Sequence, residues 1–299
     1  MKYIKMIVAS MVLFVATFSF ANAKDDLTIL NTGSKTGGFS QQSLAYYTDL
    51  SRMKKDFGVV NLVNPGNKCI AIKSLLKSVK GPILFPWGSD LEAKQRVGGC
   101  DATVDISNAS IVRFVEKYQA VCQLNSKMDV RKNSGKFGIN AGTQIIQGRT
   151  VDAINKSFKT KHRSVAYDGW GASKVALLNG EIDYMIVSPP GDQQVKDEGG
   201  SCEYDLSRSE NSLYSLDKSN IQLVSSNIDV WLAWNMTDEQ AKDLAKKLKT
   251  LHYECDTAIS KWQKGCDKEG TAIHYSEFDI DESHLVRWED SVRRNTIDE

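Results

Sequence analysis

Apolar residues along the chain fall into two rhythms. Short runs such as "DLTIL" (26–30), "FGVVNLV" (57–63) and "PILFPWG" (82–88) have the length and composition of strands. Between them, Ile72, Leu75, Leu76 and Val79 stand at i, i+3, i+4 and i+7, and Gly81-Pro82 ends the run. That spacing is one face of a helix. An earlier helix is expected over 40–53, with Leu44, Tyr47 and Leu50 on its apolar side. The Asn64-Pro65-Gly66 triplet marks a turn after the second strand. Strand, helix, strand, helix, strand implies parallel pairing with right-handed crossovers.

An irregular stretch near 98–107 follows, and "VEKYQAVCQL" (115–124) reads as one strand leading elsewhere. A second alternating series then begins. "KFGINAG", "HRSVAY" and "EIDYMIVS" are strands, and "TQIIQGRTVDAINKSF" and "GASKVALLNG" are helices, the second closed by Asn179-Gly180. The polar segment 195–220 reads as a surface insertion and "IQLVSS" (221–226) as one more strand. The last third reads as helical. Thr237-x-x-Gln240 is a capping-box pattern, and Ala241, Leu244, Ala245, Leu248 and Leu251 follow at helical spacing. A final helix is expected around 282–294.

The first 23 residues change the setting. Lys2 and Lys5 precede an apolar stretch, and "ANA" ends at Ala23 with small residues where a signal peptidase needs them. Cleavage after Ala23 and export are therefore expected. It removes two lysines and no acid, which turns a formal charge of +1 into −1. That balance gives no reason to expect nucleic acid or an anionic membrane as partner. The six cysteines, Cys69, Cys100, Cys122, Cys202, Cys255 and Cys266, form an even set suited to disulfides in an oxidising compartment. Their pairing stays open. A straight helix from Cys255 to Cys266 would hold them roughly 16 Å apart, beyond the about 7 Å that a bridge allows. They pair only if the chain turns back between them. A metal at His252, Cys255 and Cys266 is the weaker reading, because no second paired ligand motif accompanies them.

Three glycine-bearing loops fall at the carboxyl ends of expected strands: 31–40, 141–144 and 168–171. Open parallel sheets bind ligands at those ends. The first loop, "NTGSKTGGFSQQS", carries Lys35 as its one charge. Glycine lets the backbone approach a ligand, and a helix behind it adds unpaired N–H groups and a positive dipole end. Such a loop can hold an anion without a charged side chain. A plain strand-to-helix turn is the other reading. The loop is neither a Walker motif nor a G-x-G-x-x-G fingerprint. Enzyme motifs are missing: there is no G-x-S-x-G and no H-E-x-x-H, and the four histidines are scattered. His162, in "KSFKTKHR", reads as part of a solvated basic face, and Asp281-Glu282 as surface or cap residues.

"TGGFSQ" after a strand, "NLVNPGNKCIAIKSLL" and "VAYDGWGASKVALLNGEIDYMIVS" together resemble the extracytoplasmic receptors of tripartite tricarboxylate transporters, the Bug family. Tyr167, Gly169, Leu177, Leu178, Gly180 and Asp183 carry the most specific part of the likeness. Departures also occur. Thr36 replaces the family's proline, Gln41 its aspartate, the arginine early in the first helix is absent, and Cys69 stands near the place of a turn glycine.

The resemblance implies an α/β, two-lobed type II periplasmic binding-protein fold with the ligand cleft between the lobes. Residues 24–120 with 228–299 would form lobe one, and 121–227 lobe two. It implies a periplasmic receptor that captures a small di- or tricarboxylate and delivers it to membrane transporter subunits, as a monomer without metal, cofactor or catalysis. The ligand would meet Ser34, Lys35, Thr36, Gly37, Gly38, Phe39 and Ser40, then Ala141, Gly142, Thr143 and Gln144, and finally Tyr167, Asp168, Gly169 and Trp170. Phe39, Trp87 and Trp170 are candidates for apolar or stacking surface, with core packing the commoner use of each; Trp170 stands foremost because it lies between two glycines. A two-lobed receptor for an amino acid or other small solute, or an exported disulfide-stabilised enzyme on the same fold, are the alternatives.

Overall fold

A computed structural model describes residues 25–34, 37–53, 55–66, 68–77, 81–117, 119–124, 127–141, 144–188, 191–204, 227–263 and 274–296. The expected signal peptide and the strand at 221–226 lie outside them. The described strands make two sheets. The first joins β1 (Leu27–Leu30), β2 (Val60–Val63), β3 (Ile83–Gly88), β4 (Ser110–Lys117), β10 (Asn227–Trp234) and β11 (His274–Glu277) in the order β11-β4-β10-β3-β1-β2. The second joins β5 (Ala120–Gln123), β6 (Lys136–Asn140), β7 (Arg163–Tyr167), β8 (Tyr184–Val187) and β9 (Ser201–Tyr204) in the order β7-β6-β8-β5-β9.

Helices alternate with the parallel strands: α1 (Gly38–Leu50), α2 (Lys68–Lys77) and α3 (Ser89–Arg96) in the first half, and α4 (Gln144–Phe158), α5 (Trp170–Leu178) and α6 (Gly191–Asp197) in the second. Helices α7 (Asp238–Tyr253), α8 (Ala258–Gln263) and α9 (Glu282–Thr296) follow β10. β1 pairs in parallel with β2 and β3, and β6 with β7 and β8, as the alternation implies. Every residue of β3 is buried, the signature of a strand covered on both faces. The capping box forms: Thr237 Oγ1 accepts from the Gln240 amide, and Gln240 Oε1 accepts from that of Thr237. Behind it Ala241, Leu244, Leu248 and Leu251 are buried in the first sheet's core.

Several expectations are corrected. Helix α1 buries Phe39, Gln42, Ser43, Ala45, Tyr46, Asp49 and Leu50, whereas Leu44 is 53% exposed. Its inward face is polar as well as apolar, so an apolar stripe misplaced it. "SDLEAKQR" is α3, which buries Leu91, Ala93 and the polar Glu92 and Gln95; Glu92 accepts from Trp87 Nε1 of β3, and Gln95 Nε2 donates to Glu92 and to the Val104 carbonyl. Residues 115–124 form parts of two strands in two sheets, not one. The segment read as a polar insertion begins with α6 and β9, and Cys202 of β9 stands opposite Cys122 of β5. The helical last third also contains β10 and β11. His162 is buried between Phe137 and Tyr184 rather than solvated. Its Nδ1 accepts from the Gly135 amide at 3.1 Å and its Nε2 donates to the Val130 carbonyl at 2.8 Å. Burial lowers its pKa, in keeping with a neutral ring.

Cys69 bonds to Cys100 and Cys122 to Cys202, and Cys255 is also disulfide-bonded, while Cys266 lies outside the described residues. The Cys122–Cys202 bridge spans 80 residues. Replacing both cysteines by alanine should remove about 4 kcal/mol of stability through the loop's closure entropy. Urea unfolding with and without the pair measures this, and a loss below about 1 kcal/mol would contradict it.

The β11–α9 corner gives an acid-side prediction. Asp281 caps α9, and hydrogen bonds first from Ser283 and then from His284 pull its pKa down to about 2. Burial pushes Glu277 up, but bonds from His284 and Arg287 carry it below its ordinary value. A carboxyl depressed on folding stabilises above its unfolded pKa and loses that contribution as pH falls toward the folded one. Wild-type Tm should therefore fall between about pH 4 and pH 2 more steeply than that of Asp281→Asn. Parallel curves would refute the assignment.

Candidate functional site

The loop after β1 contains little charge because its polar groups tie it to neighbouring strands. Asn31 is buried at the end of β1; its Oδ1 accepts from the Gly33 amide at 2.8 Å and its Nδ2 donates to Asn64 Oδ1 at 2.9 Å. Asn64, after β2, passes the connection on to Ser40 Oγ at 3.3 Å. Thr32 Oγ1 donates to the Pro86 carbonyl of β3. The sequence reading missed Asn31, Thr32 and Asn64. An asparagine directly after each of two adjacent parallel strands was the available signal.

Gly33 is required by close approach, since a Cβ there would lie 2.8 Å from Phe39 Cβ. Gly37 is the N-cap of α1 in extended conformation, with no side-chain cap and no acidic residue in the first turn. A Cβ on Gly38 would meet nothing within 4 Å. Among the described residues, nothing beyond its chain neighbours stands beside the first residue of this 13-residue helix. Phe39 is buried and Ser34 and Ser40 are half-buried, while Lys35 and Thr36 lie outside the described residues. Gln41, in place of the family's aspartate, accepts from Trp262 Nε1 at 2.9 Å.

Beneath α1 lies a buried polar chain. Arg113 of β4 has no exposed surface and donates from Nη1 to Gln42 Oε1 at 3.0 Å and to the Tyr46 hydroxyl at 2.9 Å. Its Nη2 donates to Ser276 Oγ at 2.8 Å. Tyr46 in turn lies 2.5 Å from His252 Nε2, and His252 Nδ1 lies 2.8 Å from Gln263 Oε1. Burial pushes the Tyr46 hydroxyl up to about 12 against the pull of Arg113. Burial also lowers Arg113, which Tyr46 and Asp229 partly offset.

In the second sheet, Asn140 of β6 pairs with Tyr167 of β7, so the loops that follow them emerge side by side. Ala141 is exposed, and Gly142 and Thr143 lie outside the described residues. Gln147, one turn into α4 from Gln144, reaches back to accept from the Asn140 amide at 2.6 Å. Tyr167 is half-buried and Asp168 exposed. Gly169 is the N-cap of α5 with φ 88° and ψ 164°, again without a side-chain cap. Trp170 does not present a stacking face: it packs in the second sheet's core, against Gly191, where a Cβ would come within 3.1 Å of its ring. Trp87 is likewise core, with its Nε1 donating to Glu92 at 2.9 Å. No cluster of metal-ligating side chains exists among the described residues, and no described helix is long and apolar enough to cross a membrane.

No protein-family model and no curated protein matches the sequence. Solved structures do. The periplasmic binding protein BugD superposes with a TM-score of 0.62 at 10% identity, covering 91% of this chain and 95% of its own. The chain has the two-lobed fold of the Bug periplasmic binding proteins. Rpa4515 of R. palustris, solved with adipate, matches this Bug fold with a TM-score of 0.61 at 13% identity over 90% of this chain and 97% of that one. MatC from Rhodopseudomonas palustris, with bound malate, gives 0.58 at 11% identity over 89% and 98%.

The two loop glycines at helix N-termini should differ on substitution. Gly169 holds a backbone conformation that is essentially glycine-only, so Gly169→Ala should cost on the order of 1–3 kcal/mol. Gly38→Ala meets neither strain nor contact and should stay within about 0.5 kcal/mol of wild type. Paired denaturation curves test the contrast, and equal losses would contradict it.

Proposed function

We propose that this protein is an exported receptor that captures a small di- or tricarboxylate and hands it to a membrane transporter. The observation that carries the reading is the N-terminus of α1. It has no side-chain cap, lies at the carboxyl end of β1, and has open space where Gly38 lacks a side chain. Backbone N–H groups and the dipole end of such a helix stabilise a negative charge. α5 repeats the arrangement in the second sheet, with Gly169 as its N-cap.

In this reading residues 24–120 with 228–299 form lobe one and 121–227 lobe two. The two sheets support the division, though Ala120 at the start of β5 lies in the second sheet and Asn227 at the start of β10 in the first. The ligand lies between them. It meets the backbone of Ser34–Ser40 from one side, and Ala141–Gln144 and Tyr167–Trp170 from the other. Trp170 contributes its place at the start of α5 rather than its ring. The carboxylates bound by MatC and Rpa4515 support the ligand class. The protein is secreted after cleavage behind Ala23, acts as a monomer in the periplasm and catalyses no reaction.

A thermal-shift screen with malate, adipate, succinate and citrate tests the proposal. At about 100 times Kd a ligand adds about 2.7 kcal/mol of stability. Gly38→Val should fold like wild type and lose at least about tenfold in affinity, because its side chain fills the space before the helix. No stabilisation by any acid, turnover of one of them, or a Gly38→Val variant that binds as well as wild type would each refute the reading.

A further inference from the structure

The buried chain under α1 has a fixed polarity. Arginine offers donors only, so the group that Arg113 reaches in Gln42 must be the oxygen, and the bond is 3.0 Å. The NH2 of Gln42 is therefore the opposite end of a carboxamide that cannot flip. Arg113 also donates to the Tyr46 oxygen, and His252 lies within hydrogen-bond distance of the Tyr46 hydroxyl through Nε2 and of Gln263 Oε1 through Nδ1. Ser276 fixes the other side of the guanidinium. Asp229 of β10 lends it a favourable negative field. Arg113 thus acts by holding Gln42, not by leaving a bare charge.

Gln42 is 1% exposed, yet its Nε2 has no hydrogen-bond partner among the described residues. Buried donors are nearly always satisfied. Gln42 stands four residues after Gly38, roughly 6 Å along the helix axis. Side chains on a helix lean toward its N-terminus and cover the preceding turn. The NH2 is thereby carried toward the turn whose amides form the open N-terminus.

We infer that Gln42 is a specificity-determining residue: its NH2, oriented by Arg113, donates to the carboxylate seated at the N-terminus of α1. This rests on the receptor reading above. It adds a side-chain donor to a seat otherwise made of backbone, and it favours a carboxylate oxygen over a group without an acceptor, such as an ammonium.

Gln42→Glu tests it. The new side chain keeps an oxygen for Arg113 and gains an ion pair, but it turns a donor into an anion beside the ligand. The variant should unfold at or above the wild-type Tm while its affinity for malate and adipate, measured by calorimetry at neutral pH, falls about tenfold or more. A purely structural Gln42 predicts the same Tm gain with unchanged Kd. That result, with wild type binding normally, overturns this inference and leaves the receptor reading standing. If wild type binds neither these acids nor succinate nor citrate, both fall. Should Gln42→Glu not fold, Gln42→Met takes its place; a loss of about threefold or more supports the donor role, and unchanged affinity overturns it.

Discussion

Strand β10 lies between β3 and β4 and hydrogen-bonds to both, antiparallel to each. Without residues 227–234, β2-β1-β3 and β4-β11 would share no ladder. The first sheet is therefore finished by chain that follows the second sheet in sequence. The path must leave after β4, build β5 to β9, and come back. This return also sets the floor of the candidate site. It places Asp229 opposite Gly88 at the carboxyl end of β3, and Trp231 edge-on to Tyr46 beneath α1. The ring centroids of that pair are 4.7 Å apart, a favourable edge-to-face contact in the core.

On that sheet the first loop is polar and carries almost no charge. Its amides and hydroxyls hold it to β2 and β3, and glycine stands where Phe39 crowds the backbone. Above it α1 begins, with Gly37 buried and Gly38 half-buried. The second sheet builds its loops differently. Gln147 of α4 reaches back to cap the end of β6, and Gly169 adopts a conformation closed to other residues. Two sheets of separate sequence thus offer similar ends.

Much of this was legible in the sequence because strand and helix runs alternate and the glycines stand at strand ends. The elements that escaped share a physical cause. Helix α3 buries Glu92 and Gln95 as well as Leu91, so no apolar period marks it. β10, "NIDVWLAW", is buried from Ile228 to Ala233 and shows no alternation to separate it from a buried helix. The inward face of α1 holds Gln42, which Arg113 meets, and Asp49, which accepts from the amides of α8. Trp170 looked like a ligand platform because glycines flank it, but the glycines serve the turn and the ring serves the core. Periodicity registers packing against apolar neighbours; it does not register polar groups that pair across long sequence distances.

Amide chemical-shift mapping tests the central claim most directly. In the 15N-labelled protein, titration with malate or adipate should move the backbone amides of Gly37, Gly38 and Phe39 together with those of Gly169 and Trp170, at one common saturation. Large shifts confined to other regions, or movement at one of these loops without the other, would contradict the account of a carboxylate held between two uncapped helix ends.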